Sequence, residues 1–358
     1  MTDPTLTIAG RAIGANHPPY IVAEMSANHN GALDRALAIM EAAKEAGADA
    51  VKLQTYTADT MTIDHDGPGF RIEGGPWAGN TLYELYRQAH MPWEWHDALF
   101  ARGRALGITV FSTPFDASAI ALLEGLRAPA YKIASFEIVD LALIEAAAAT
   151  GKPVIISTGL ADSEEIGEAV TAARRAGAGG VALLQCTSGY PTPPADSNLR
   201  ALPGLVEAFD VVVGLSDHTV GAAVPVAAVA LGAAIVEKHF TLSRADGGPD
   251  SAFSLEPPEF RALVEGCRAA WEAMGEAGCA RAPSEEPNAV FRRSIYVVKD
   301  IAEGAPFTSE NLRVIRPGLG LKPKYLPGVL GRPATRALRR GTPLEWDFVA
   351  GGEEGGGK

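Results

Sequence analysis

The sequence predicts a (β/α)8 TIM barrel followed by a small β-rich domain. Eight short apolar stretches of strand length recur between residues 20 and 238, amphipathic segments separate them, and nearly every stretch ends in polar residues. An eight-stranded parallel barrel needs that alternation, typically spans ~250 residues and gathers its functional groups at the carboxyl ends of the strands. A doubly wound sheet is the rival, but it normally has fewer strands and often a glycine-rich dinucleotide loop after the first, which this chain lacks.

The strand-like stretches are YIVAEM (20–25), AVKLQ (50–54), ITVFS (108–112), AYKIA (130–134), PVIIS (153–157), VALLQ (181–185), VVVGL (211–215) and AIVEK (234–238). Helical spacing separates them. In LDRALAIMEAAKEAG (33–47), Leu33, Leu37 and Met40 fall on one face and Gly47 supplies a C-cap. The pattern repeats at 116–126 and at 162–176, where Asp162 and Glu165 form a capping pair. The interval 54–108 is about twice the others and reads as a long loop plus a helix, partly covering the rim. The apolar run 221–236 is short, Ala-rich and broken by Pro225 and Gly232, which suits a buried helix running into a strand better than a membrane span.

After a helix near 258–274 comes the polar stretch GEAGCARAPSEEPN. The expected division is a catalytic barrel over 1–280, a linker at 281–290, a β-rich module at 291–350 and a disordered tail at 351–358. The module's cues are SIYVVKD, a capped TSENL turn, TRALRRG and several Pro and Gly breaks. Residues 288–350 carry a net charge of +6, whereas residues 1–287 carry -17. Two readings stand: unrelated surfaces, or a basic lid serving an anionic site in the same chain or its neighbour.

A total charge of -12 argues against nonspecific binding to nucleic acid or an anionic membrane, since both need clustered positive charge. Three cysteines without a CxxC pair suggest neither a disulfide framework nor a zinc knuckle, and a reducing cytoplasm is the simplest location. The start, MTDPTLTIAGRAIG, has no basic region followed by an apolar block, so no secretory signal is expected.

The strand ends supply the chemistry. His218 and His239 lie 21 residues apart, one strand-helix-strand unit, so neighbouring parallel strands would bring both imidazoles to one rim. One histidine alone is ordinarily a hydrogen-bonded core residue. Two together, flanked by Asp217 and Glu237, favour a divalent metal site with open coordination positions, and imidazole suits Mn, Fe, Co or Zn. Lys52 and Lys132, among Thr113, Ser135, Ser157 and Ser216, are the composition a phosphate or carboxylate ligand needs. Either lysine alone could instead form an ordinary salt bridge or a Schiff base. Glu24 and Glu137 are candidates for general acid and base. Asn28 and His29 either line the pocket or shape the turn before Gly31. Cys186 reads as a small apolar residue, with no adjacent histidine in the sequence to activate it.

The motifs AEMSANHNG (23–31), KLQTY (52–56), FSTPFD (111–116), YKIASFE (131–137), STG (157–159), CTSGYPTP (186–193), GLSDHT (214–219), EKHFT (237–241) and GGPD (247–250) resemble the signature set of the sialic acid synthase family. Residues 292–320 resemble that family's antifreeze-like (SAF) domain. The resemblance spans almost the whole chain. It implies condensation of phosphoenolpyruvate with an open-chain N-acetylated amino sugar, with release of phosphate. By the same resemblance Lys52, Thr113, Lys132, Ser135, Ser157 and Ser216 would hold phosphoenolpyruvate, and His218 and His239 a divalent metal such as Mn2+, Mg2+ or Co2+. Glu24 or Glu137 would handle the proton of the attacking water. Gln54, Tyr190 and Asp250 match sugar-contacting positions. Arg316 matches an arginine that reaches the N-acetyl group from the partner of a domain-swapped homodimer.

Two departures narrow the substrate. The family usually reads AEIG-x-NH-x-G at the first motif and CTN at the sixth, where this chain has Met25-Ser26-Ala27 and Ser188. Ser188 thus replaces an asparagine contact to phosphoenolpyruvate. MSANHN, CTS-x-YPTP, GGPDSAFSLEP and RPGLGLKPKYL resemble the pseudaminic acid synthase branch, whose sugar is 2,4-diacetamido-2,4,6-trideoxy-L-altrose. N-acetylneuraminate or legionaminate synthesis, a Schiff-base aldolase and a carbohydrate-binding protein with a decayed barrel remain the alternatives.

Overall fold

The structure is a computed structural model and describes residues 3–276 and 278–352. The chain divides into two compact units after Gly275. The first opens with an antiparallel hairpin, β1 (Leu6–Ile8) and β2 (Arg11–Ile13). Eight parallel strands follow: β3 (Tyr20–Glu24), β4 (Ala50–Thr55), β5 (Thr109–Pro114), β6 (Tyr131–Ile133), β7 (Val154–Ser157), β8 (Val181–Cys186), β9 (Val212–Asp217) and β10 (Ile235–His239). They close into a barrel in sequence order, with β10 pairing back onto β3. Each apolar stretch expected to be a strand contributes one.

Helices α1 (Leu33–Glu45), α5 (Ala117–Gly125), α6 (Leu141–Ala148), α7 (Ser163–Ala176), α8 (Ala201–Phe209), α9 (Ala223–Ala230) and α10 (Pro257–Met274) alternate with the strands. The long interval after β4 holds α2 (Ala58–Met61), α3 (Leu82–Ala89) and α4 (His96–Leu106), more helix than a loop plus one helix. Asp162 accepts from the Glu164 and Glu165 amides while the Glu165 side chain accepts from the Asp162 amide, so α7 begins with a capping box. On α1 the fully buried face is Ala36, Ile39, Met40 and Ala43. Leu33 and Leu37 pack at its edge, so the sequence reading placed the face about one residue off.

Strand pleating divides the barrel core. Alternate residues Val22, Ala50, Phe111, Ile155, Ala182 and Ile235 cluster inside, where Leu6, Ile8 and Ile13 of the hairpin join them. The hairpin therefore seals the amino-terminal end of the barrel with apolar side chains. The residues between them in sequence, such as Ile21, Val51, Ile156 and Val236, face outward into the larger layer shared with the helices. With the amino-terminal end filled by this apolar packing, the carboxyl end is left for polar groups.

In the second unit β11 (Ser294–Val297) and β12 (Leu312–Ile315) pair antiparallel over a core of Ile295, Val297, Phe307, Leu312, Leu338 and Leu344, beside α11 (Leu326–Val329). Thr308 accepts from the Glu310 and Asn311 amides, capping the TSENL turn. TRALRRG, expected as strand-like, forms only an isolated bridge between Leu338 and Ile301. Part of the expected linker, Pro283–Phe291, winds as 3-10 turns. Of the tail expected at 351–358, residues 353–358 lie outside the described residues. Among the described residues, no helix is long and apolar enough to cross a membrane.

Candidate active site

The same pleat that buries Val22, Ala50 and Ile155 turns the next alternate residues inward near the rim: Glu24, Lys52, Ser157, Ser216 and Glu237. Strand register brings them together. Glu24 pairs with Lys52 across β3 and β4, Gln54 with Thr113 across β4 and β5, Cys186 with Ser216 across β8 and β9, and Ser216 with Glu237 across β9 and β10.

Lys52 Nζ donates to Thr113 Oγ1 at 3.1 Å and lies 2.8 Å from Glu24 Oε2 and 3.5 Å from Glu237 Oε1. Lys132, also buried, donates from Nζ to the Ile133 carbonyl at 3.0 Å, its one hydrogen-bond partner among the described residues. Burial works against the charge of both lysines; in Lys52 Glu237 and Glu24 outweigh it, whereas Lys132 is held below the usual range. Burial also disfavours ionised Glu237, yet Lys132 and Lys52 hold that carboxyl down. Glu24 goes the other way, pushed up to about 7 by burial against the pull of Lys52. Two carboxyls around one ammonium thus divide into one that ionises readily and one poised near neutrality.

Several polar atoms here are left without partners. Ser157 Oγ, Ser188 Oγ, Glu24 Oε2, Glu137 Oε2 and His239 Nδ1 are buried and make no hydrogen bond among the described residues. Of these, Glu24 Oε2 still has an ion-pair partner, Lys52 Nζ at 2.8 Å. Ser135 Oγ accepts from the Gly159 amide at 3.1 Å. Gly159 leaves room beside the Ser135 and Ser188 hydroxyls: a Cβ there would stand 2.4 Å from Ser188 Oγ and 2.7 Å from Ser135 Oγ, so any other residue must move them. Hydroxyls that converge across a missing side chain form a cradle for an oxygen-rich ligand, because each unsatisfied buried group otherwise costs ~1–3 kcal/mol.

His218 and His239 meet at the rim, their ring centroids 5.4 Å apart. His218 Nδ1 donates to the Thr187 carbonyl at 3.0 Å, which leaves the Nε2 lone pair free. Burial, then the neighbouring His218 and Lys52, keep His239 neutral by lowering its pKa well below the usual value. His218 goes the other way: burial works against its charge, but Cys186 and the Thr187 carbonyl raise its pKa above the usual value. Two imidazoles meeting at one rim fit a borderline-soft divalent cation, which binds the deprotonated ring nitrogens. They are half a ligand set: among the described residues no three His, Cys, Asp or Glu side chains form a metal-binding group. Cys186 needs a correction. Its Sγ lies 4.0 Å from His218 Nδ1, so a histidine distant in sequence is adjacent in space, and the thiol is held below its usual range despite burial.

Gln54 and His239 stand one inward position beyond Lys52 and Glu237, and there the site opens into a cavity of about 420 Å3. Ser26, Gln54, Glu137, Tyr190, His239 and Asp250 provide its polar groups. Met61, Ile72, Leu82, Leu85, Tyr86, Phe115 and Phe136 form an apolar wall, most of it from the long interval after β4. Trp77 donates to the Pro249 carbonyl at 2.9 Å and packs on Tyr190, whose ring lies 4.3 Å from that of His218. Burial pushes Glu137 up to about 7 against the attraction of Lys132. A larger groove of about 610 Å3 lies at the amino ends of β5 and β6 and holds none of the candidate residues.

The structure gathers the first unit's candidate side chains at the carboxyl rim of the barrel, except Asn28 and His29; Arg316 belongs to the second unit. Asn28 and His29 do not line the cavity. Asn28 Nδ2 ties the turn to Phe240 and Ser254, and His29 packs edge-on against Trp95. Sequence reasoning missed the apolar wall, Ser26 and Gly159 as parts of the site. The aromatic density of GGPWAGNTLYELY was the available signal for the wall.

The comparisons with known proteins agree with this geometry. The NeuB family model matches residues 39–278 and the SAF domain model residues 292–350. A pseudaminic acid synthase of Helicobacter pylori is 46% identical over 93% of this chain and 98% of its own length, and one from Campylobacter jejuni is 44% identical over 92% and 96%. A solved N-acetylneuraminic acid synthetase from Leptospira borgpetersenii, in complex with citrate, superposes with a TM-score of 0.72 at 32% identity, covering 80% of this chain and 95% of that one. The chain therefore belongs to the NeuB family, with a TIM barrel and a carboxyl-terminal SAF domain.

Proposed function

We infer that the chain acts as a pseudaminic acid synthase, condensing phosphoenolpyruvate with 2,4-diacetamido-2,4,6-trideoxy-L-altrose and releasing inorganic phosphate. The observation that carries the reading is the division of one site into a charged floor with unsatisfied hydroxyls and a chamber with an apolar wall. The floor suits the carboxylate and phosphate of phosphoenolpyruvate. The wall suits a sugar with a methyl in place of a 6-hydroxyl and a second acetamido methyl, since Leu85, Phe115 and Phe136 offer a hydroxyl no partner. The pseudaminic acid synthases among its relatives support the same assignment.

On this reading Lys52 and Lys132 neutralise the anion, and Thr113, Ser135, Ser157, Ser188 and Ser216 satisfy its oxygens. A bond forms between phosphoenolpyruvate C3 and the sugar's C1, and the aldehyde oxygen takes up a proton. Water adds at C2, the C2–O bond breaks, and a 2-keto acid and phosphate leave. Glu24 and Glu137, both raised to about 7, would give one proton and take the other. Gln54, Tyr190 and Asp250 orient the sugar from the chamber. His218 and His239 would hold a divalent cation, Mn2+, Mg2+ or Co2+, which when bound supplies electrophilic activation of the carbonyl oxygen. A domain-swapped homodimer, with Arg316 reaching the sugar from the partner, and a cytoplasmic location complete the proposal.

The test is phosphate release and product mass with phosphoenolpyruvate and a panel of N-acetylated sugars. The expected result is turnover with the diacetamido trideoxy altrose at least tenfold more efficient than with N-acetylmannosamine or the legionaminate precursor. Comparable efficiency with N-acetylmannosamine would reassign the chain to sialic acid synthesis. Borohydride trapping of pyruvate on Lys52 or Lys132 would replace the metal route with a Schiff base.

A further inference from the structure

Ser26 stands where the related motif carries glycine, and its backbone explains the glycine: φ is +49°, in the left-handed region that L side chains adopt at a cost. The side chain is buried and reaches the chamber. Its hydroxyl donates to Asp250 Oδ2, a carboxylate 224 residues away on the loop after β10. The Ala27 amide donates to the same oxygen at 3.3 Å, and Gln54 Nε2 reaches Ser26 Oγ at 3.4 Å while donating to Glu24 Oε1 at 2.9 Å. A continuous chain thus runs from Glu24 through Gln54 and Ser26 to Asp250, with its last three members on the cavity surface. Burial raises the Asp250 carboxyl, and the Ser26 and Ala27 donors oppose that rise.

We propose that Ser26 is a positioning and specificity-determining residue: its hydroxyl fixes the Asp250 carboxylate and the Gln54 amide as one polar edge opposite the apolar wall, setting the orientation of the sugar. The proposal rests on the sugar-site reading given above. A residue needed only for the turn would be improved by glycine, which adopts this φ freely. A positioning hydroxyl predicts opposite signs for stability and function. Without it, Asp250 keeps one amide donor and Gln54 loses its second contact, so both polar groups on that edge gain freedom.

The test compares wild type with Ser26→Gly and Ser26→Ala by steady-state kinetics and thermal melting, using the best sugar of the panel. Both variants are expected to raise the KM for the sugar about ten- to hundredfold, the range of a hydrogen bond to a charged group. The KM for phosphoenolpyruvate should stay within twofold, and Ser26→Gly should melt at or above the wild-type temperature. An unchanged sugar KM in Ser26→Gly, or equal loss for both substrates, would overturn the proposal. The two readings fail separately. If wild type prefers another N-acetylated sugar, the substrate assignment falls while the Ser26 ratio is still read with that sugar. If wild type turns over none, crystal structures decide: an Asp250 carboxylate unmoved in Ser26→Ala overturns the positioning role, and one that rotates away supports it.

Discussion

Lys132 on β6 and Lys238 on β10 are both fully buried, four strands apart around one barrel, and their surroundings are opposite. Lys238 points outward from β10, where it meets Asp217 Oδ2 at 2.5 Å and the Thr219 carbonyl, while Asp217 also accepts from Thr219. That cluster pairs its charges internally and ties β9 to β10 just before the two histidines. Lys132 points inward and, among the described residues, has one backbone partner, while the Ser157 and Ser188 hydroxyls at the same rim have none. A buried charge with its partners in place is architecture; one surrounded by unfilled donors and acceptors is waiting for a ligand.

Exchanging each lysine for methionine is the strongest way to break this contrast. Lys132→Met should lower kcat/KM by at least ~10^3 with only a small loss of melting temperature, because an electrostatic contact to substrate is lost while Glu237 keeps Lys52 as its ion-pair partner. Lys238→Met should instead destabilise the fold by about 3–5 kcal/mol, since Asp217 is left buried and unpaired. Thermal melting and kinetics on both variants check the pair; equal destabilisation would erase the distinction.

His218→Ala and His239→Ala sharpen it at the rim. Turnover should fall to background with either, the bound divalent metal should drop in elemental analysis, and phosphoenolpyruvate should still bind within a few-fold of wild type by calorimetry. Loss of phosphoenolpyruvate binding would merge the rim with the floor.

Glu137 gives the pH test. Its folded pKa, about 7, exceeds the ordinary value of 4.5, so between these the folded state keeps a proton that the unfolded state has released. This favourable contribution is complete below about 4.5 and is lost as pH rises through about 7. Glu137→Gln should therefore flatten that part of the stability profile and lower kcat roughly 10^2-fold, removing one limb of the pH–rate curve. An unchanged curve would take Glu137 out of proton transfer. The smallest effect belongs to the wall: Phe136 is 58% exposed, so Phe136→Ser should leave stability alone and raise the sugar KM only several-fold.

Most of the barrel was legible because a buried strand such as VVVGL has nowhere to place polar residues until it reaches the rim, and the same rule exposed Lys52, Glu237 and the histidines. The hairpin β1–β2 was not, since two three-residue strands carry too little pattern. Cys186 beside His218, Ser26 beside Asp250 and the hydroxyls across Gly159 depend on neighbours brought together by closure of the barrel, which no local window contains. The face of α1 was displaced because small alanines, not only leucines, make its closest contacts.

The central claim is that the cradle around Gly159 is a ligand site held open by the absence of a side chain. Calorimetric titration of phosphoenolpyruvate into wild type and Gly159→Ala tests it most directly, because it needs neither sugar nor turnover. A methyl 2.4 Å from Ser188 Oγ and 2.7 Å from Ser135 Oγ must displace both hydroxyls, so phosphoenolpyruvate affinity should fall at least tenfold in a variant that still melts cooperatively. Wild-type affinity in that variant would contradict the account.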